Sequence, residues 1–243
     1  MHNKIFSLIF LFAPFFTQIS LADPFIGKAL VYRGAGACSS CSESAYKMAG
    51  LAGYEAKYVD PTERKQNLFE GVALYIQPGG KSLDVAKAMT PELKNNLLNF
   101  IRNGGGYVGF CAGAFYATEE IRDEGVAGLG IIPGHSWLWE KVKDAPTILQ
   151  IRWEDQTRDL YWEGGPYLDF SKVDMAKTPV EIIATYNDGQ VAAARTTFGL
   201  GRVFVTGVHP ESPESWREGL DVHDSDGLDW DLAVQMIKWS ARK

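Results

Sequence analysis

Gly104-Gly105-Gly106-Tyr107-Val108-Gly109-Phe110-Cys111-Ala112-Gly113-Ala114 joins a glycine stop, a short apolar run and a G-x-C-x-G. The run Tyr107 to Phe110 predicts a buried strand, and the small residues after Cys111 predict the start of a helix. A cysteine at that junction sits on a cramped turn, which tolerates only small neighbours two residues to either side. The turn lifts the sulfur clear of the sheet at the carboxyl end of the strand. There the N-terminus of the following helix favours thiolate over thiol. An ordinary thiol, with a pKa of about 8.5, is only a few per cent ionised at neutral pH, so this assistance matters. Cys111 is the candidate nucleophile.

The segments around it alternate. Ala29-Leu30-Val31-Tyr32, Ala56 to Val59 and Val72 to Ile76 read as strands, with a helix at Glu43 to Leu51. Thr90-Pro91-Glu92 opens a second helix with a hydroxyl cap, a first-position proline and an acid. Leu93, Leu97, Phe100 and Ile101 give that helix an apolar stripe, and Asn103-Gly104-Gly105-Gly106 ends it. Strands alternating with helices predict an α/β fold with a doubly wound, mostly parallel sheet. From about 118 to 179 the texture changes to Trp, Gly and Asp with little periodicity. This stretch reads as an insertion of extended loops and short strands on the edge of the same domain. Glu181 to Tyr186, Asn187-Asp188-Gly189 and Gln190 to Thr196 read as a hairpin. Arg202 to Thr206 is a further strand and Leu228 to Trp239 a closing amphipathic helix. With no internal repeat or linker, residues 23–243 read as one domain.

The 243 residues are 46% hydrophobic and 22% charged, which excludes a disordered tail, a collagen-like rod and a coiled coil. A net charge of −6 without a basic run gives no footprint for nucleic acid or an anionic membrane surface. Residues 1–22 read as a secretory signal peptide: Lys4, then the apolar stretch Ile5 to Phe16, then Ser20-Leu21-Ala22 before Asp23. The apolar stretch is too short to span a bilayer, so no membrane span is expected after cleavage. Export places the protein in the periplasm or outside the cell. In an oxidising compartment Cys38 and Cys41 can close a C-x-x-C disulfide, leaving Cys111 as the odd thiol. That disulfide can brace the loop after the first strand or be redox-active. Zinc would require two further ligands, such as His135 and His223, and no metal is expected.

Val208-His209-Pro210-Glu211 follows the strand Arg202 to Thr206. On an extended segment, side chains two apart leave from the same side, so the Glu211 carboxylate can reach the His209 ring. Glu211 would fix the tautomer while the other ring nitrogen faces Cys111. An attacking thiolate also needs donors for the developing oxyanion. The Ala112 N–H is one, and Pro78-Gly79-Gly80 supplies the second, because glycine lets the main chain approach substrate closely. Gly80-Lys81-Ser82 does not make a phosphate loop, since Tyr75 stands where the required glycine should be.

In this order, the cysteine elbow, the His-Pro-Glu and the Pro-Gly-Gly loop resemble class I glutamine amidotransferases, whose fold is flavodoxin-like. The chain is more similar still to the amidotransferase-like domain at the amino terminus of biotin–protein ligases and its stand-alone bacterial relatives. Val31 to Gly36, Gly104 to Ala114, Trp162-Glu163-Gly164-Gly165-Pro166 and Gly199 to Arg202 carry that likeness. The resemblance implies a Cys111–His209–Glu211 triad with Gly80 and Ala112 as oxyanion donors, no cofactor, and a small-molecule or peptide amide as substrate. It does not imply biotin transfer, because the ligase's own catalytic domain is absent. Hydrolysis of an amide or peptide C–N bond through an acyl-thioester is the expected reaction. The alternatives are a non-catalytic ligand-binding module and a thiol–disulfide protein using Cys38 and Cys41. Gly79, His135, Trp162 and Gly165 are expected to contact substrate. Most of the remaining aromatics (Trp137, Trp139, Trp153, Tyr161, Tyr167) are expected to pack the insertion on the sheet. The acidic tract Asp221 to Asp231 lacks regular ligand spacing and reads as a solvated helix entry. The oligomeric state is left open.

Overall fold

A computed structural model describes residues 25–63, 67–122, 124–143 and 145–241. The expected signal peptide and its cleavage site lie outside the described residues. In the first half the chain runs β1 (Gly27–Tyr32), α1 (Ser39–Leu51), β2 (Tyr54–Val59), β3 (Val72–Gln77), α2 (Ser82–Ala88), α3 (Pro91–Arg102), β4 (Gly106–Phe110) and α4 (Ala112–Ala117). The insertion adds β5 (Glu120–Ile121), β6 (Val126–Ala127), β7 (His135–Leu138), β8 (Thr147–Trp153), β9 (Gln156–Trp162) and β10 (Pro166–Asp169). The chain closes with β11 (Val180–Thr185), β12 (Val191–Phe198), β13 (Gly201–Thr206) and α5 (Trp230–Ser240).

The sheet order β2-β1-β3-β4-β13 is parallel throughout. Its strands are apolar on consecutive residues because both faces are covered. Ala29 and Val31 of β1, Leu74 and Ile76 of β3, and Val108 and Phe110 of β4 join a core with α1 and α5. The intervening Leu30, Tyr32, Tyr75 and Tyr107 join a second core on the opposite face, with α2, α3 and α4. The sheet is therefore doubly wound. In α3 the Thr90 hydroxyl accepts from the Leu93 N–H at 3.3 Å, and Leu93, Leu97 and Ile101 are buried as the stripe predicts. Each such side chain contributes about 1.5–3 kcal/mol by leaving water.

Beyond β13 the sheet continues through β12, β10 and β7, paired antiparallel. The insertion is more regular than its texture suggests. Strands β8 and β9 form an unbroken hairpin from Thr147 opposite Trp162 to Trp153 opposite Gln156, around a turn where Glu154 has a φ of 52°. The short helix α2 is a second unanticipated element; its cap residue, Lys81, makes no side-chain cap bond. The closing helix begins at Trp230 rather than Leu228, because Asp229 is turned toward Arg158 and Arg217.

In a parallel sheet all carboxyl ends face one way, and β1, β3, β4 and β13 are adjacent. Register places Gln77 beside Gly109 and Thr206 beside Phe110. The loops carrying Cys38, Gly79–Gly80, Cys111 and His209 therefore emerge together, in the crevice where such sheets hold ligands.

Candidate active site

Cys111 has a φ of 47° and ψ of −101°, an uncommon conformation for a residue with a side chain. Its N–H donates to the Thr206 carbonyl at 2.8 Å, while its own carbonyl accepts from Ala114 and Phe115 to start α4. The flanking glycines are a packing requirement. A Cβ on Gly109 would stand 2.6 Å from the Gly113 carbonyl, and one on Gly113 would run into the Gln77 carbonyl. The Tyr107 hydroxyl donates to the Gly113 carbonyl at 2.9 Å and secures the turn from below. Cys111 is 3% exposed, and the Glu163 carbonyl oxygen lies 3.9 Å from its sulfur.

His209 and Glu211 are both buried, with Nδ1 of the ring 2.8 Å from Glu211 Oε1. The chain reaches this contact by turning at Pro210-Glu211, closed by Ser212 N–H donating to the His209 carbonyl at 3.1 Å, rather than by staying extended. The His209 N–H donates to the Tyr161 carbonyl at 2.9 Å, which ties the loop to β9. Tyr161 and Trp216 close on the imidazole edge-on, with centroids at 5.8 and 5.5 Å. Burial alone disfavours the imidazolium. The Glu211 carboxylate foremost, with the Cys111 sulfur nearby, outweighs it and holds the His209 pKa well above its ordinary value. Tyr161, raised by burial and by donating to Glu163 Oε2 at 2.9 Å, stays a neutral phenol.

Gly79 faces the same ring: a Cβ there would stand 2.6 Å from His209 Cε1 and 3.2 Å from Cys41 Sγ. Gly80 takes a φ of 140° and bridges to Ala37. That bridge uses Cys38 N–H to the Gly79 carbonyl at 3.2 Å and Lys81 N–H to the Gly36 carbonyl at 2.7 Å, so the Gly80 N–H stays outside the pairing. Ala112 opens α4, and its N–H has no intrahelical acceptor. Cys38 and Cys41 form a disulfide in which Cys38 Sγ also accepts from the Cys41 N–H at 3.0 Å, at the start of α1.

Three of the expected substrate contacts have packing partners in the structure. Trp162 is buried, its indole N–H donating to the Gly165 carbonyl at 3.2 Å and its ring edge-on to Trp139, so it offers no open face. Gly165 is a packing glycine, since a Cβ would run into the Gly207 carbonyl. His135 lies on β7 with Arg122 donating to its Nε2 at 2.7 Å and Asp169 across the pair, and it does not line the cavity beside Cys111. Tyr161, Glu163 and Trp216 stand around the catalytic candidates without having been singled out for that place. Only the crowding of aromatics in the insertion hinted at Tyr161, and no pattern marked Trp216. The acidic tract is largely exposed, as expected, but several of its carboxylates are paired and Asp229 is buried. Asp159, Asp224 and Asp226 bring carboxylate oxygens within 4.8 Å of one another, but Arg158, Arg217 and Ser225 occupy them.

A cavity of about 310 Å³ opens beside the elbow, between Gly80 on one wall and Gly164 on the other, with Phe115 of α4 at its base. A larger one, about 580 Å³, lies by Val72 and Gly105 at the amino ends of β3 and β4. That is the far end of the sheet from the sulfur.

The family described as biotin–protein ligase, N terminal, matches residues 28–128. The biotin–protein ligase of Schizosaccharomyces pombe is 22% identical over 220 residues, covering 80% of this chain. The match takes in only 35% of that ligase, so the chain corresponds to about a third of its length. A glutamine amidotransferase crystal structure superimposes with a TM-score of 0.59 at 20% identity, covering 74% of this chain and 90% of its own. PurLQS from Thermotoga maritima gives 0.59 at 17% identity, covering 86% and 97%. At these identities the solved structures speak for the fold alone. Taken with the doubly wound sheet and the elbow at its carboxyl edge, they show that this chain has a class I glutamine amidotransferase-like fold related to the biotin–protein ligase N-terminal domain.

Proposed function

We propose that the protein is a cysteine-dependent amide hydrolase working through Cys111, His209 and Glu211. The observation that carries the reading is a buried imidazole held by Glu211 at 2.8 Å on Nδ1, on a loop that emerges beside the Cys111 elbow at the carboxyl edge of the sheet. With its pKa raised, His209 is basic enough to take the Cys111 proton when the sulfur attacks. The Cys111 thiolate attacks the amide carbonyl carbon, forming a C–S bond, and the oxyanion is received by the Ala112 and Gly80 N–H groups. His209 passes its proton to the departing nitrogen, and the C–N bond breaks. Water, deprotonated by His209, then attacks the acyl-thioester. The C–O bond forms, the C–S bond breaks, and acid and free Cys111 result. Glu211 holds the ring and stabilises the imidazolium in both halves. The Cys38–Cys41 disulfide supports a place in an oxidising compartment, periplasmic or extracellular.

The test is alkylation of Cys111 by iodoacetamide at neutral pH, followed by mass spectrometry. His209→Ala is expected to slow labelling by about 10²-fold or more, in the range of a lost general base. Equal labelling of wild type and variant would remove the activated nucleophile and the proposal with it.

A further inference from the structure

We propose that the cavity beside Cys111 is an acyl-side pocket selective for an apolar side chain, so that the substrates are amides or peptides of apolar residues rather than free glutamine. This rests on the reading of Cys111 as nucleophile and adds to it the substrate class.

Three residues that line the cavity adjoin the reaction centre, although Cys111, His209 and Glu211 do not line it themselves. Gly80 follows Gly79, which lies against the His209 ring; Gly164 follows Glu163, whose carbonyl is 3.9 Å from the sulfur; Phe115 donates its N–H to Cys111 itself. An acyl group bonded to Cys111 therefore has this cavity beside it. Its volume, about 310 Å³, stands at the small end of ligand pockets, which run from about 300 to 1,000 Å³. That suits one side chain rather than an extended ligand. Its apolar walls are Phe115 and Ile121, which are buried, with Leu83 and Leu138, and half-buried Ser82 adds one hydroxyl to the lining. The charged residues that reach it, Lys81, Asp84 and Glu124, are all exposed.

Chemistry then decides between occupants. A glutamine held by its side-chain amide carries an ammonium and a carboxylate a few atoms from the sulfur. Those charges need buried, hydrogen-bonded partners to enter such a space, and exposed surface charges bind them weakly. A leucine- or phenylalanine-like side chain fits the lining directly. One methylene in a hydrophobic pocket is worth about tenfold or more in discrimination.

The experiment measures alkylation of Cys111 by two chloromethyl ketones, one of N-acetyl-phenylalanine and one of the glutamine-like amino acid, each rate divided by that of iodoacetamide. In each case the thiolate displaces chloride and forms a C–S bond. The apolar reagent is expected to be faster by about tenfold or more, with the ratio reduced at least fivefold in Leu138→Asp. As a readout free of chemistry, N-acetyl-phenylalaninamide is expected to raise the Tm of the Cys111→Ala chain, while L-glutamine leaves it unchanged. Equal or faster reaction with the glutamine-like reagent, alongside normal His209-dependent iodoacetamide labelling, overturns the pocket and leaves the hydrolase standing. Iodoacetamide labelling that ignores His209 overturns the hydrolase, and the acyl pocket falls with it.

Discussion

Glu211 is fully buried, with one carboxylate oxygen committed to His209 and the other without a hydrogen-bond partner among the described residues. Its charge is the strongest influence holding the imidazolium against burial. Glu211→Gln keeps the shape and an acceptor for Nδ1–H but removes that charge, so the His209 pKa must fall. The alkaline limb of kcat/KM, where the imidazolium is lost, is expected to move to lower pH by about one unit or more, read from a pH–rate profile. A limb that stays in place would assign the effect to Cys111 alone. The elbow glycines make a second prediction at this scale. Gly113→Ala pushes a methyl into the Gln77 carbonyl, backbone that cannot swing aside. The expected cost is about 1–3 kcal/mol, or a Tm lower by roughly 2–4 °C per kcal/mol, with slowed Cys111 labelling. This residue-level geometry was largely legible in sequence, because a G-x-C-x-G constrains backbone as well as chemistry. Trp162 was not: an aromatic reads the same whether it lines a cleft or fills a core.

The disulfide loop and the Gly79–Gly80 loop behave as one element. They share the Cys38-to-Gly79 and Lys81-to-Gly36 hydrogen bonds, and Cys41 Sγ and the His209 ring both close on Gly79. The oxyanion donor proposed at Gly80 is thus positioned by the disulfide-bearing turn. Replacing both Cys38 and Cys41 by Ser is expected to lower kcat of amide hydrolysis by about tenfold, toward the 10²–10³ lost with a whole donor. Iodoacetamide labelling of Cys111, which develops no oxyanion, is expected to change less than threefold. Equal losses in both assays would mean that the loop supports the nucleophile rather than the oxyanion. Elements were read from sequence with uneven success, and for physical reasons. The strands β1, β3, β4 and β13 are apolar on successive residues because both faces are covered, and α3 carries a cap and a stripe. The β8–β9 hairpin turns at Glu154-Asp155 with a positive φ on Glu154, so the usual Asn-Gly signal is missing. The helix α2 has only seven residues and no side-chain cap, leaving nothing periodic to detect.

Across the whole molecule, the insertion, the His209 loop and the closing helix meet at Asp229. Arg158 of β9 reaches Asp229 at 2.9 Å, and Arg217 reaches it at 3.1 Å while also donating to the Ser212 carbonyl at 3.1 Å, one residue past Glu211. The Trp230 indole donates to that same carbonyl at 3.0 Å. Asp229 is fully buried, and burial pushes its pKa up to about 7 in spite of the two guanidinium groups. The acidic tract was legible as composition, but Arg158 lies about 70 residues away in sequence and only the fold brings it in. A carboxyl whose folded pKa exceeds its unfolded value binds more protons when folded. Its contribution is complete below about pH 4 and is lost as the pH rises through about 7. Asp229→Asn removes that titration. Unfolding free energies from urea melts at pH 5 and pH 8 are expected to show the wild type losing stability relative to the variant, by at most about 3 kcal/mol, since part of the shift is already spent at pH 5. Because Trp216 and Ser212 connect this cluster to His209, the same pH interval is expected to raise KM in the wild type more than in Asp229→Asn. Parallel stability differences at the two pH values would mean that the arginines keep Asp229 ionised throughout, and that the closing helix is held by charge pairing alone.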